Sequence, residues 1–319
     1  MVTADLLRRA FPYAALLLAG SAGTALAVEA PRKADQASAW SFEISSGVKY
    51  DSNVSVIEID SLVPSDDVAA VIQVAVDYLT KITPQTTLKL GYDFDQTLYS
   101  EFDELNYQSH AASAKLRYKF GTEPESSDVA LSYRFSYSTL GGDGFINQNR
   151  LSPTFGVYIG KPIYLQFEYI YADKDFIDDN DRDATVHSGG TDAFYFIDGT
   201  KFMVIVGYQY DDSDADAAEF DYASHNGKIK LVRRLDVAGM APKLTVGWDH
   251  EARNYSSVDS TPSSGKRNDD RDKLKASVQL PIDDTFYASL EYQYRDFRST
   301  LDEADYSENL TEVRVGAEF

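Results

Sequence analysis

The sequence of 319 residues has no cysteine. That excludes a disulfide framework and any cysteine-based zinc site. Histidine is scarce, at four residues. Neither H-E-x-x-H nor G-x-S-x-G occurs, so two familiar hydrolase signatures are missing. No run of about 18 apolar residues follows the N-terminal stretch, so no transmembrane helix is predicted. Positive charge is also short. There are 30 Lys and Arg against 51 Asp and Glu, a net of −21. Binders of nucleic acid need a basic face, so no such partner is expected. What the chain has in quantity is aromatic residues, 22 Tyr and 17 Phe. These favour strands, and they suit the girdles of a membrane wall.

The clearest pattern closes the chain. Thr311, Val313, Val315, Ala317 and Phe319 fall on one face of residues 309–319. Glu312, Arg314, Gly316 and Glu318 fall on the other. Period two is a strand. Three charges on its inner face do not fit an ordinary core, but they fit a wall with lipid outside and water inside. The pattern recurs back to Trp40 in segments of about 10–14 residues. In the segment from Lys201, Val204, Val206, Tyr208 and Tyr210 share the outward face. From Asp272 to Leu280, Leu274, Ala276 and Val278 alternate with Lys273, Lys275 and Ser277. The segment from Thr185 to Ile197 is the least regular, because Gly189-Gly190 and Phe194-Tyr195-Phe196 blur its phase.

The expected fold is all-β: a transmembrane antiparallel barrel of about 14 strands. Short periplasmic turns and longer acidic extracellular loops connect them. A soluble sandwich would also alternate, but it would bury the apolar face and leave charges inward on nearly every strand.

Three regions are expected. Residues 1–27 read as a secretory signal, with Arg8 and Arg9, an apolar run from Phe11 to Leu18, and Ala25-Leu26-Ala27 as the cleavage site. Residues 28–38 read as a short periplasmic lead, and 39–319 as the barrel. Location in the outer membrane of a Gram-negative bacterium follows, with lipid and lipopolysaccharide as surroundings.

Two resemblances add to this. Ending on Phe319 is similar to the C-terminal signature of bacterial outer-membrane barrels, which implies recognition by the barrel assembly machinery. Gly47-Val48-Lys49-Tyr50-Asp51-Ser52-Asn53-Val54 resembles the G-x-x-Y-D-S-N-V opening strand of a family of Gram-negative barrels. That family includes stand-alone porin-like proteins, some linked to exopolysaccharide export, and the barrel of surface lipoprotein assembly modifiers. The resemblance implies exopolysaccharide or lipoprotein export partners. The modifiers carry a helical-repeat domain for which residues 28–40 leave no room, and this favours a stand-alone channel.

The expected function is a passive channel or export pore for small hydrophilic or saccharide solutes. The alternatives are a barrel component of lipoprotein or exopolysaccharide assembly, and a barrel enzyme acting as lipid hydrolase or protease. No cofactor and no catalytic set is expected. Pore-lining candidates are Lys115, Arg117, Arg134, Arg150, Lys228, Lys230, Lys273 and Lys275, with Asp93, Glu168, Asp249 and Glu291. Lys115, Arg117, Arg134 and Arg150 come from three consecutive strands. Two readings stay open for them: a stripe that guides an anionic solute, and a ladder of ion pairs that stiffens the wall. Asp179-x-Asp181-x-Asp183 and Asp212-x-Asp214-x-Asp216 invite calcium, yet lack the Gly and Glu of an EF-hand loop. A solvated acidic rim is the preferred reading, and no metal site is expected.

Overall fold

The structure is a computed structural model that describes residues 38–237, 239–257 and 265–319. The signal, residues 1–27, and the lead up to residue 37 lie outside the described residues. The first strand, β1 (Ser38–Asp51), starts one residue before the expected barrel boundary. A small pair follows, β2 (Val54–Val56) and β3 (Ser61–Val63). The chain then runs through β4 (Asp67–Lys81), β5 (Thr86–Tyr99), β6 (Tyr107–Lys119), β7 (Asp128–Leu140) and β8 (Asp143–Ile159). It continues through β9 (Ile163–Phe176), β10 (Ala184–Asp198), β11 (Phe202–Ala215), β12 (Tyr222–Arg234) and β13 (Lys243–Tyr255). β14 (Asn268–Pro281), β15 (Phe286–Ser299) and β16 (Tyr306–Glu318) complete it.

Each long strand pairs antiparallel with its neighbours, and β16 returns to β1, so the fourteen close into a barrel. Closure leaves no open edge in the sheet, which a lipid-embedded wall requires. The seam runs from Glu43↔Glu318 to Asp51↔Leu310. Beyond it, Phe42 and Phe319 exchange two backbone hydrogen bonds, at 3.2 and 2.9 Å.

The alternation has the expected sense. Outward positions are apolar and exposed: Ile44, Val48, Leu90, Leu131, Val206, Ile229, Leu290 and Val313 are all at least 42% accessible. Their immediate neighbours along each strand point inward. Among the inward positions of the wall, Ser45, Ser224 and Glu308 are buried. The irregular Thr185–Ile197 segment is a continuous strand, β10, paired on both sides.

An aromatic girdle lies towards the end away from the termini. In six successive hairpins an outward ring reaches a polar group on the next strand. Tyr92 meets His110 (2.7 Å), Tyr133 meets Asn149 (2.7 Å) and Tyr169 meets His187 (2.6 Å). Tyr208 meets His225 (2.7 Å), Trp248 donates to Asp272 (3.1 Å) and Tyr292 donates to Asn309 (2.7 Å). The rings place apolar area in the wall while each polar tip keeps a partner.

Four connections at this end share one construction. Each is a 3-10 turn followed by Asn106, Asp183, Asp221 or Asp305. That side chain accepts the backbone N–H of Tyr99, Phe176, Ala215 or Ser299 respectively. Part of the acidic loop composition is therefore capping chemistry. Loop lengths do not alternate strictly. β7 and β8 are joined at the girdle end by Gly141-Gly142, both at positive φ, whereas residues 120–127 form a longer connection at the terminal end.

Ile229 lies at the middle of β12, between inward Lys228 and Lys230. Ile229→Arg is expected to cost about 2–4 kcal/mol in lipid, read from urea titrations of folding into vesicles. Lys230→Arg is expected to leave the titration unchanged. Equal effects would shift the register of β12 by one residue.

Candidate functional site in the barrel interior

Every predicted lining residue lies on the inward face of its strand. Arg117 Nε is 2.6 Å from Asp128 Oδ2, and Tyr164 donates to the other oxygen of Asp128 at 2.8 Å. Arg134 Nη1 is 2.7 Å from Asp93 Oδ2. Arg150 stands directly opposite Arg134 and donates to Ser152 Oγ at 3.2 Å. Glu168 on β9 is an electrostatic neighbour of Arg150. Lys115 is in register with Lys89 on one side and Ser132 on the other. The four cations of the expected stripe lie on the inward faces of three consecutive strands, with Arg117 and Arg134 in ion pairs.

On the other side of the barrel, Lys228 Nζ is 2.9 Å from Asp192 Oδ1 and Lys275 Nζ is 2.5 Å from Glu291 Oε1. Gly207 makes the first of these pairs feasible. It lies in register between Asp192 and Lys228, and a Cβ there would sit 2.2 Å from Asp192 Oδ1 and 2.4 Å from Lys228 Cε. The pair therefore crosses β11 over a residue without a side chain. Lys230, Asp249 and Lys273 complete the predicted set on β12 to β14.

The mouth at the girdle end holds residues that the sequence pattern did not single out. The connection from β1 to β4 turns into the barrel. Val54 and Val56 pack on Leu105, with Ile59, Val63, Tyr99, Phe102, Leu140 and Phe145 around them. Ser55 Oγ donates to Glu308 Oε1 at 3.0 Å. Asp60 pairs with Arg267 and Arg271, each at 2.9 Å. Both arginines also hold Asp269, at 2.8 Å. Arg182, from the β9–β10 connection on the opposite wall, donates to the carbonyl oxygen of Ile59 at 3.4 Å. The connection thus spans the mouth from side to side. Asp60 is the one non-glycine residue at positive φ among the described residues, at 52°, a conformation Asp tolerates better than most.

The cations at this mouth lie against rings. Arg253 stacks on Tyr222 at 4.0 Å and Arg267 on Tyr255 at 4.3 Å. A signal for them existed: Arg267-x-Asp269-x-Arg271-x-Lys273 extends the period-two pattern of β14. The expected start at Asp272 was too late, and the strand begins at Asn268.

The GxxYDSNV stretch lies at the seam. Lys49 and Tyr99 both reach Asp51, at 3.6 and 2.9 Å, and the carboxylate is buried. Ser52 Oγ accepts the N–H of Asn309 at 2.8 Å, and Asn53 donates to the Ser307 carbonyl at 2.7 Å. A Cβ on Gly47 would sit 2.1 Å from the Val313 carbonyl oxygen. The motif therefore ties the end of β1 to β16.

The four histidines are all on the outer face, bonded to Tyr hydroxyls or to Asp272. Adjacent residues of a strand point oppositely. In Ser109-His110, His187-Ser188 and Ser224-His225 the serine therefore faces inward while its neighbouring imidazole faces out. Among the described residues, no three His, Asp or Glu side chains gather as a metal site.

No protein-family model and no curated protein matches the sequence. By structure the chain is similar to in-vitro folded OmpT in its trimer form, an outer membrane protein of Vibrio cholerae. The TM-score is 0.51 at 9% identity, over 89% of this chain and 100% of that one. It is also similar to the loop L8 deletion mutant of the same Vibrio cholerae protein, with TM-score 0.50 at 10% identity over 89% and 100%. The likeness carries the fold, and the closed wall with its apolar exterior agrees with it. The chain is an outer-membrane β-barrel. Its girdle end is then extracellular and its terminal end periplasmic, so the β1–β4 connection narrows the extracellular mouth.

Burial pushes the Asp60 carboxyl up, but Arg271 and Arg267 outweigh it and hold it down at about 2, below the usual 3.8. A depressed carboxylate stabilises fully above its unfolded value and loses that contribution as pH falls through the folded one. The wild-type connection is expected to resist pepsin at about pH 4 and to lose protection only near pH 2. Removing one partner of a buried ion pair costs about 3–5 kcal/mol, so Asp60→Ala is expected to be cut at both values. Equal cleavage of wild type and variant at the higher pH would show that the ion pair does not hold the connection.

Proposed function

We propose that this barrel is a passive channel for small hydrophilic solutes, with the inward face as the path and residues 52–66 as its narrowest point. The observation that carries this reading is the inward face itself. It presents ionised side chains around the whole wall, and several, such as Lys89 and Asp77, keep substantial solvent contact. Charges in such a wall need water beside them. Eight-stranded barrels are filled by their own side chains, whereas sixteen or more strands leave a channel. Fourteen strands therefore fit a narrow aqueous lumen.

The resemblance of Gly47–Val54 to porin-like barrels, some linked to exopolysaccharide export, supports a saccharide among the solutes. On this reading residues 1–27 are the export signal, residues 28–38 are a short lead, and Phe319 is the mark read during assembly. Lys115, Arg117, Arg134, Arg150, Lys228, Lys230, Lys273, Lys275, Asp93, Glu168, Asp249 and Glu291 line the path.

Reconstitution in planar bilayers tests the proposal. Purified barrel is expected to give stable conductance steps. Replacing residues 54–63 by a short Gly-Ser link is expected to enlarge them, because the mouth is then unobstructed. Silence from both proteins, when each migrates as a folded barrel on unboiled gels, would overturn the reading.

A further inference from the structure

On the inward face of β12 to β14, two rows of residues lie in register across the strands. One is Lys230–Gly247–Lys275 and the next is Lys228–Asp249–Lys273. Four lysines thus surround a glycine and one aspartate. Gly247 leaves an open floor. A Cβ there would find its nearest neighbours at 3.7 Å, the carbonyl oxygen of Ile229, and 3.9 Å, Cγ of Lys230.

The lysines are unevenly neutralised. Lys228 is held by Asp192 and Lys275 by Glu291. Among the described residues, Lys230 and Lys273 form no ion pair. The amine of Lys273 lies 5.5 Å from the ring centre of Phe297, and that side chain is largely buried. The strongest electrostatic neighbours of Lys230 are Lys243, Lys275, Asp249 and Lys228, three cations and one carboxylate. Besides Asp192, Asp249 and Glu291, the carboxylates of Glu251 and Glu312 and the cations Lys243, Arg271 and Arg295 act on these lysines. Like charges gathered in a confined passage repel one another, and the passage walls keep their field from spreading. An anionic group entering the notch relieves that repulsion and gains charge-assisted hydrogen bonds.

We infer that the notch over Gly247 is a binding subsite for a single oxyanion group, the phosphate or carboxylate of a small hydrophilic solute, held by Lys230 with Lys228 and Lys275 at its edges. The inference rests on the channel reading only in that a solute must reach the interior from water.

Calorimetric titration of the detergent-folded barrel separates the two, since it needs no conduction. The probes are inorganic phosphate and glucuronate, with glucose as the uncharged control. Wild type is expected to bind both anions at low salt and not glucose. A response to one anion alone assigns the subsite to phosphate or to carboxylate. Lys230→Gln is expected to weaken binding by roughly tenfold. Lys89→Gln, which removes an inward lysine already paired with Asp77, is expected to leave it unchanged. No binding by wild type, unchanged binding by Lys230→Gln, or equal loss in Lys89→Gln would each overturn the subsite. Binding by a barrel that never conducts would retain the subsite and overturn the channel.

Discussion

Closure of the sheet between β1 and β16 is the constraint on which the rest depends. In hydrocarbon an unpaired backbone group costs several kcal/mol, so a sheet with an open edge cannot stay there. The seam meets this with paired residues from Glu43 to Asp51. It is extended at one end by the Phe42–Phe319 exchange and at the other by the Ser52 amide on the Asn309 carbonyl. Once the wall is closed, the two-residue period assigns every side chain to lipid or to lumen. Apolar rings then go out and charges go in without further instruction.

Charge follows the same logic. Pairs such as Arg117–Asp128, Lys89–Asp77 and Arg295–Glu308 link neighbouring strands across the inner face, and Arg134–Asp93 reaches across β6. Much of the −21 net charge sits elsewhere, in loops where Asp183, Asp221 and Asp305 cap strand ends. The extracellular mouth is a special case. There Asp60 and Asp269 share Arg267 and Arg271, and the pairing draws a connection into the barrel that would otherwise project into water.

The wall was legible in the sequence because its signal is local. Val204, Val206 and Tyr208 alternate with Ile205, Gly207 and Gln209, and no distant contact is needed to read that face. Strand number and the inward position of residues such as Lys228 and Glu291 follow from it. The mouth was not legible, because it depends on contacts that span the chain. Asp60 meets Arg267 and Arg271 across 207 and 211 residues. The run Asn268-Asp269-Asp270-Arg271-Asp272 reads as a polar loop until its inward partners are known. Loop length misled in the same way. Gly141-Gly142 closes an extracellular hairpin in two residues because both glycines take positive φ.

The most direct measurement is a disulfide across the seam. Lys49 and Glu312 face each other in register, at a spacing within the disulfide range of about 4.4–6.8 Å. The chain has no cysteine to compete. Lys49→Cys with Glu312→Cys, oxidised in the folded barrel, is predicted to cross-link and to make the boiled, unreduced chain migrate faster than the reduced one. Lys49→Cys with Val313→Cys, whose side chains point to opposite faces, is predicted not to cross-link. No cross-link in the first pair, or a cross-link in the second, would contradict the closed register on which this account stands.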